Sequence, residues 1–118
     1  MLENKLFKFE EGVVSRWASY ENPDGAKGAG GTVRNGRKGA PWFTLNPGES
    51  RVLAHAENTS GIIRRMWITI SDQTPETLRG IKLEMFWDNS EKPAVSVPFG
   101  DFFCVGLGKC IILKSGRT

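Results

Sequence analysis

Residues 78–103 read LRGIKLEMFWDNSEKPAVSVPFGDFF, and the fold turns on how that run is parsed. Ile81, Leu83, Met85 and Trp87 recur at every second position, the period of a strand with one face buried. Asp88-Asn89-Ser90-Glu91-Lys92 breaks the alternation with turn-forming and charged residues, and after Pro93 it resumes at Val95, Val97 and Phe99. Two antiparallel strands joined by a polar loop are therefore expected. The run closes on Gly100-Asp101-Phe102-Phe103, a carboxylate set between a glycine and two aromatics. An acid so placed is either held by hydrogen bonds or exposed for work.

Outward from this hairpin, the same period recurs. Residues 13–20 (VVSRWASY), 42–45 (WFTL) and 50–56 (SRVLAHA) have strand-like content. In residues 62–70, Ile62, Met66, Ile68 and Ile70 share one face, interrupted by Arg64. An arginine on an apolar face calls for a carboxylate, and Glu84 on a neighbouring strand is one candidate. Asn46-Pro47-Gly48-Glu49 has the central pair of a type II turn, and residues 72–76 are expected as a loop. With a short strand at 110–113 the count reaches about seven, near the eight of a jelly roll. A lead-in over residues 1–12, helical or irregular, would dock Leu6, Phe7 and Phe9.

Composition agrees with a turn-rich β protein: 118 residues, 39% hydrophobic, with 14 glycines, four tryptophans and seven phenylalanines. The formal net charge is +3 and basic residues are scattered among acids, which makes no electrostatic case for nucleic acid. No apolar stretch is long enough to span a bilayer or serve as a signal, so a cytoplasmic protein without a membrane partner is expected, the alternative being one whose signal has been removed. Cys104 and Cys110 have no accompanying His or second Cys pair, so neither a metal nor any other cofactor is expected. Reduced, packed thiols are the expectation, with a disulfide the other possibility. His55, the only histidine, has no nucleophile motif spaced around it and is expected on the surface of a strand.

Residues 21–40 (ENPDGAKGAGGTVRNGRKGA) form a glycine-rich basic insertion, a loop under any parsing. Gly31 to Lys38 falls short of a phosphate-binding loop, because Arg37 stands at the lysine position and no Ser or Thr follows Lys38. Arg16, with five fixed donors, suits hydroxyl groups or a carboxylate such as Asp101; alternatively its stem covers a strand edge. Trp17 is either a ring exposed for stacking or a core tryptophan.

The run WD…PAVSVPFGDFF, with Gly61-Ile62-Ile63-Arg64-Arg65-Met66-Trp67-Ile68-Thr69 ahead of it, resembles glycoside hydrolase family 172. Ser15-Arg16 and Ser19 are similar to the family's opening motif, and Glu21-Asn22-Pro23-Asp24-Gly25-Ala26-Lys27-Gly28 to an insertion some members carry. The matching segments extend from Ser15 to about Gly106. The resemblance implies an all-β, antiparallel jelly-roll β-sandwich, the first of two such rolls and incomplete here, forming a single domain with the 21–40 insertion. It implies action on fructofuranosides and related furanosides, difructose dianhydride among them, and assembly of copies into trimers or multiples. It places the catalytic acids further along the chain than this sequence reaches, leaving substrate positioning to Arg16, Asp101 and Trp17. The alternative is a non-catalytic jelly-roll module for carbohydrate binding or assembly.

Overall fold

Strand β1, Lys82–Met85, pairs antiparallel with β2, Val95–Pro98, setting Leu83 opposite Val97 and Met85 opposite Val95. These belong to the computed structural model of the chain, which describes residues 7–37 and 41–108. The hairpin is the one that the alternation calls for. Leu83 is buried, and Met85, Val95 and Val97 are half-buried. Lys82, Glu84 and Ser96 are exposed. There Lys82 Nζ lies 2.8 Å from Glu84 Oε1, and Ser96 Oγ donates to the same oxygen at 3.3 Å. The Lys82 bond first, and the Ser96 bond in addition, hold the Glu84 carboxyl below its ordinary range. Glu84 thus takes Lys82 as its cationic partner, where the sequence suggested Arg64. Within the connecting loop Ser90 N–H donates to Trp87 O at 3.2 Å. Asp88 and Asn89 both have positive φ, 57° and 54°, as the two central residues of a type I′ turn require.

A short helix precedes β1, in place of the expected loop. Helix α1, Pro75–Gly80, has Thr74 as N-cap, its hydroxyl accepting from Thr77 N–H, and Pro75 in the first turn, where its missing N–H costs nothing. Asp72 completes the cap: its Oδ1 accepts from Thr74 N–H at 3.0 Å and its Oδ2 from Thr77 Oγ1 at 2.6 Å. The Thr77 bond first, then that of Thr74 N–H, holds the Asp72 carboxyl below its ordinary value of 3.8. A depressed acid contributes stability that is present above its unfolded-state value and lost as pH falls through the folded one. Asp72→Asn is therefore expected to destabilise the chain at neutral pH. The gap to wild type should close on acidification to about pH 2, read as urea midpoints at the two pH values. An equal gap at both would show that the carboxylate charge does not matter to the cap.

Helix α2, Phe99–Phe102, follows β2 directly. Phe99 N–H donates to Ile81 O at 2.8 Å, one step beyond the ladder, and Val105 N–H donates to Gly100 O at 2.8 Å. The Phe103 ring lies 5.0 Å from the rings of both Phe99 and Phe102. Leu78 from α1 (3% exposed), Leu83 from β1 (8%) and Phe99 from α2 (8%) are the buried apolar side chains among the described residues. All of this lies in the second of two compact units, Ile63–Thr118.

In the first unit, Met1–Ile62, the described residues form turns and irregular segments. Ser19 and Asn22 form an isolated antiparallel bridge, with N–H···O bonds of 3.1 and 3.0 Å in the two directions. Glu49 N–H donates to Asn46 O at 3.0 Å, and Gly48 has φ 82°, the type II turn expected from Pro47-Gly48. Asn46 N–H donates back to Glu49 Oε2 and, as the leading cause, lowers that carboxyl's pKa. Tyr20 and Phe43 pack with ring centroids 4.9 Å apart.

Among the described residues the sheet structure is the two-stranded β1–β2 sheet, so the expected all-β jelly-roll β-sandwich is not the architecture. Residues 13–20, 42–45, 50–56 and 62–70 have the composition of strands, yet apart from the Ser19 bridge they carry no ladder. Alternation marks a half-buried strand only where a neighbouring strand and a second layer exist to use it. Here Ile62 is 79% and Trp67 76% exposed. Cys104 is exposed in place of packed, with φ 60°. The expected strand at 110–113, Cys110 and residues 1–6 of the lead-in lie outside the described residues. Among those described, no helix is long and apolar enough to cross a membrane.

Candidate functional site

The glycine-rich insertion is pinned by two side chains at its start. Asn22, 7% exposed, closes on the backbone of Ala26, its Oδ1 accepting from Ala26 N–H at 3.0 Å and its Nδ2 donating to Ala26 O at 3.1 Å. A carboxamide presents one acceptor and two donors, so it can pair with both groups of one residue as a neighbouring strand would. Gly25 N–H donates to Asn22 O at 3.1 Å. Gly25 sits at φ 60° with Arg16 Cβ 3.2 Å from where its own Cβ would stand, so the left-handed backbone and the close approach both favour glycine. Glu21 reaches across the loop, Oε1 accepting from Gly31 N–H at 2.7 Å.

Folding the insertion back in this way leaves an open depression of about 750 Å³, lined by Arg16, Trp17, Glu21, Lys27 and the backbone of Gly30 and Gly31, among others. Arg16 and Trp17, two of the three residues singled out in the sequence, therefore share one surface. Trp17 is exposed, as a stacking ring requires and a core tryptophan does not. Sequence reasoning passed over Glu21 and Asn22. Their signal was the Glu-Asn-Pro-Asp-Gly run itself, in which an Asn beside a Pro-x-Gly turn is placed to bond its own backbone a few residues on.

His55 anchors a second polar cluster of this unit. Its N–H donates to Pro23 O at 2.9 Å. Its ring lies between two carboxylates, Nδ1 3.1 Å from Asp24 Oδ1 and Nε2 3.3 Å from Glu57 Oε1. The ring is half exposed, as expected of a surface histidine, and both of its nitrogens are occupied by acids.

Asp101, the third candidate, is in the second unit, on α2. Its Oδ1 pairs with Arg79 Nη1 at 3.0 Å, a link from α2 back to α1. The carboxylate packs over Gly106, where any Cβ would collide with Oδ1. Glycine at 106 is thus the condition for this rotamer. Among the described residues no three His, Cys, Asp or Glu side chains converge as metal ligands would.

No curated protein and no solved structure gives a significant match to the chain. A sequence profile of the family described as GH172 domain-like matches residues 38–114. That span takes in α1, the hairpin, α2 and Asp101, and begins beyond Arg16 and Trp17. Covering more than half of the chain, and coinciding with the PAVSVPFGDFF run that first suggested it, the match makes this chain a member of the GH172 domain-like family.

Proposed function

We propose that the chain serves glycoside hydrolase chemistry on fructofuranoside-type saccharides, contributing substrate positioning and not the catalytic carboxylates. The observation that carries the reading is the depression in which Arg16 and Trp17 stand together beside Lys27 and Glu21. Such a set offers an apolar ring face together with fixed donors, the two requirements of a polyol ring with C–H and O–H surfaces. Glycosidases use two carboxyl groups flanking the scissile bond. The acids best placed to serve are engaged instead: Asp24 and Glu57 with His55, Glu84 with Lys82, and Asp101 with Arg79. Asp101, partly exposed on the second unit, is a separate candidate for contact with a saccharide hydroxyl. The same engaged acids favour, as a second reading, carbohydrate binding without turnover. Assembly with further copies belongs to the proposal, and the exposed Ile62, Ile63 and Trp67 support it.

Titration calorimetry of the full chain with difructose dianhydride tests this. Binding is expected, weakened about tenfold or more by Arg16→Ala through loss of a charged donor, and weakened also by Trp17→Ala. Absence of binding to difructose dianhydride and to sucrose would overturn the proposal. Both readings expect binding without release of fructose by the chain itself, and release by the chain would overturn the positioning role without catalytic carboxylates.

A further inference from the structure

The wall of the depression is held from a part of the chain outside it. Asn22, Gly25 and Ala26 line that wall, whereas Pro23 and Asp24, which stand between them in sequence, are not among its lining residues. These two are the residues that His55 takes. Its backbone N–H donates to Pro23 O at 2.9 Å, and its Nδ1 stands 3.1 Å from Asp24 Oδ1, 31 residues away in the chain. The other hydrogen bonds of this turn among the described residues are local, joining Asn22 to Ser19, Gly25 and Ala26, and Ala26 to Ala29. Local bonds set the shape of a turn, and a bond from distant chain sets where the turn stands. At the ring's other edge Nε2 lies 3.3 Å from Glu57 Oε1, so an acid at each nitrogen fixes how the imidazole is turned.

We propose that His55 is a positioning residue for this depression, holding Pro23 and Asp24 so that the wall that follows them stands in place beside Arg16 and Trp17. The inference rests on the saccharide reading above and adds to it a residue that does not touch the ligand. Gly25, Gly28, Gly30 and Gly31 give this part of the insertion a backbone with many accessible conformations. Gly25, directly after Asp24, lies close to Arg16 Cβ and the Trp17 carbonyl, so a shift of the turn is felt at both residues. A tether on Asp24 orders the wall before a ligand arrives, which lowers the ordering cost of binding. The bond to Asp24 needs a proton on Nδ1 and nothing more, whichever form Nε2 takes. His55 and Asp24 are 50% and 67% exposed, so the tether is worth about two- to fivefold in affinity, the scale of a solvent-exposed charged pair.

His55→Leu removes the ring's donors and leaves the backbone bond to Pro23. In His55→Asn the carboxamide NH₂ replaces Nδ1–H toward Asp24, and the shorter side chain gives up Glu57. The full chain is titrated with difructose dianhydride, and hydrogen exchange of the Gly25 and Ala26 amides is read in parallel. The Leu variant is expected to exchange faster at both amides and to bind about two- to fivefold more weakly, and the Asn variant to recover most of both. The amides of β1 and β2, in the other unit, should keep wild-type protection in each variant; their loss as well would make His55 a residue of the fold at large and overturn the inference. It is overturned too if the Leu variant loses affinity with Gly25 and Ala26 exchanging as before, or if the Asn variant is no better than Leu. Wild-type protein that binds no fructofuranoside would overturn the saccharide reading and this inference together. Wild-type binding with an indifferent Leu variant removes this inference alone.

Discussion

Leu78→Ala is expected to lower the stability of the second unit by about 2–5 kcal/mol, the range for emptying a fully buried leucine site. Leu78, at 3% exposure, is the most buried apolar side chain among the described residues, where only Leu83 and Phe99 join it as buried. Its neighbours are fixed backbone: Gly100 of α2 lies against its Cβ and carbonyl, and Gly108 near its Cδ1. A site walled by backbone collapses poorly, which places the loss toward the upper part of the range. Urea denaturation followed at the amides of β1 and β2 measures it. Ile62→Ala is the matching control, because Ile62 is 79% exposed and should change stability by no more than about 0.5 kcal/mol. In a β-sandwich the order would reverse, since Ile62 would sit on the inner face and Leu78 in a connection. A costly Ile62→Ala with an innocuous Leu78→Ala would restore the sandwich.

That contrast marks where the sequence was legible. The hairpin was, because Leu83, Met85, Val95 and Val97 alternate on both sides of a loop carrying Asp88-Asn89, and the pairing is local. The Asn46–Glu49 turn was too, since Pro47-Gly48 leaves the backbone few other choices. Helix α1 was missed although Thr74-Pro75-Glu76 is an N-cap, a first-turn proline and a first-turn acid; six residues are too few to show a helical period. Phe99 was counted as the last residue of a strand, but it opens α2. The strong alternation of 62–70 misled for a different reason: periodicity reports which face a strand could bury, and whether a partner exists is a non-local fact. The site followed the same division. Arg16 and Trp17 are adjacent in sequence, and their common surface needed only the insertion to fold back on them. The cation that Asp101 meets within its own unit, Arg79, could not be read from the sequence, because it stands 22 residues away and is brought near by the packing of α1 on α2. Glu21 could not be singled out, because its bond to Gly31 N–H exists only once the insertion has folded back.

Gly100→Ala sets two opposing effects against each other, and their magnitudes decide the sign. Gly100 is helical, with no positive φ, so local propensity alone would make alanine better by about 0.5–1 kcal/mol. The added Cβ, however, would stand 2.7 Å from Leu78 Cβ, 2.9 Å from Gly106 Cα and 3.2 Å from Leu78 O. None of these atoms is the end of a flexible side chain, so α1 and the 103–106 turn would both have to move. Forced shifts of this kind cost about 1–3 kcal/mol or more, and here they also strain the Val105–Gly100 hydrogen bond and the seat of Asp101 over Gly106. The steric term outweighs propensity, and a net loss of at least about 1 kcal/mol is expected in the urea midpoint. Gly80→Ala isolates the other term: Gly80 ends α1 with nothing within 4 Å of a Cβ, and that variant should gain about 0.4–1 kcal/mol. Leu78→Ala should not rescue Gly100→Ala, because alanine keeps the Cβ and the carbonyl that make the collision. The double variant should therefore lose at least as much as Gly100→Ala alone, and a stable one would mean that α1 and α2 do not meet at Gly100.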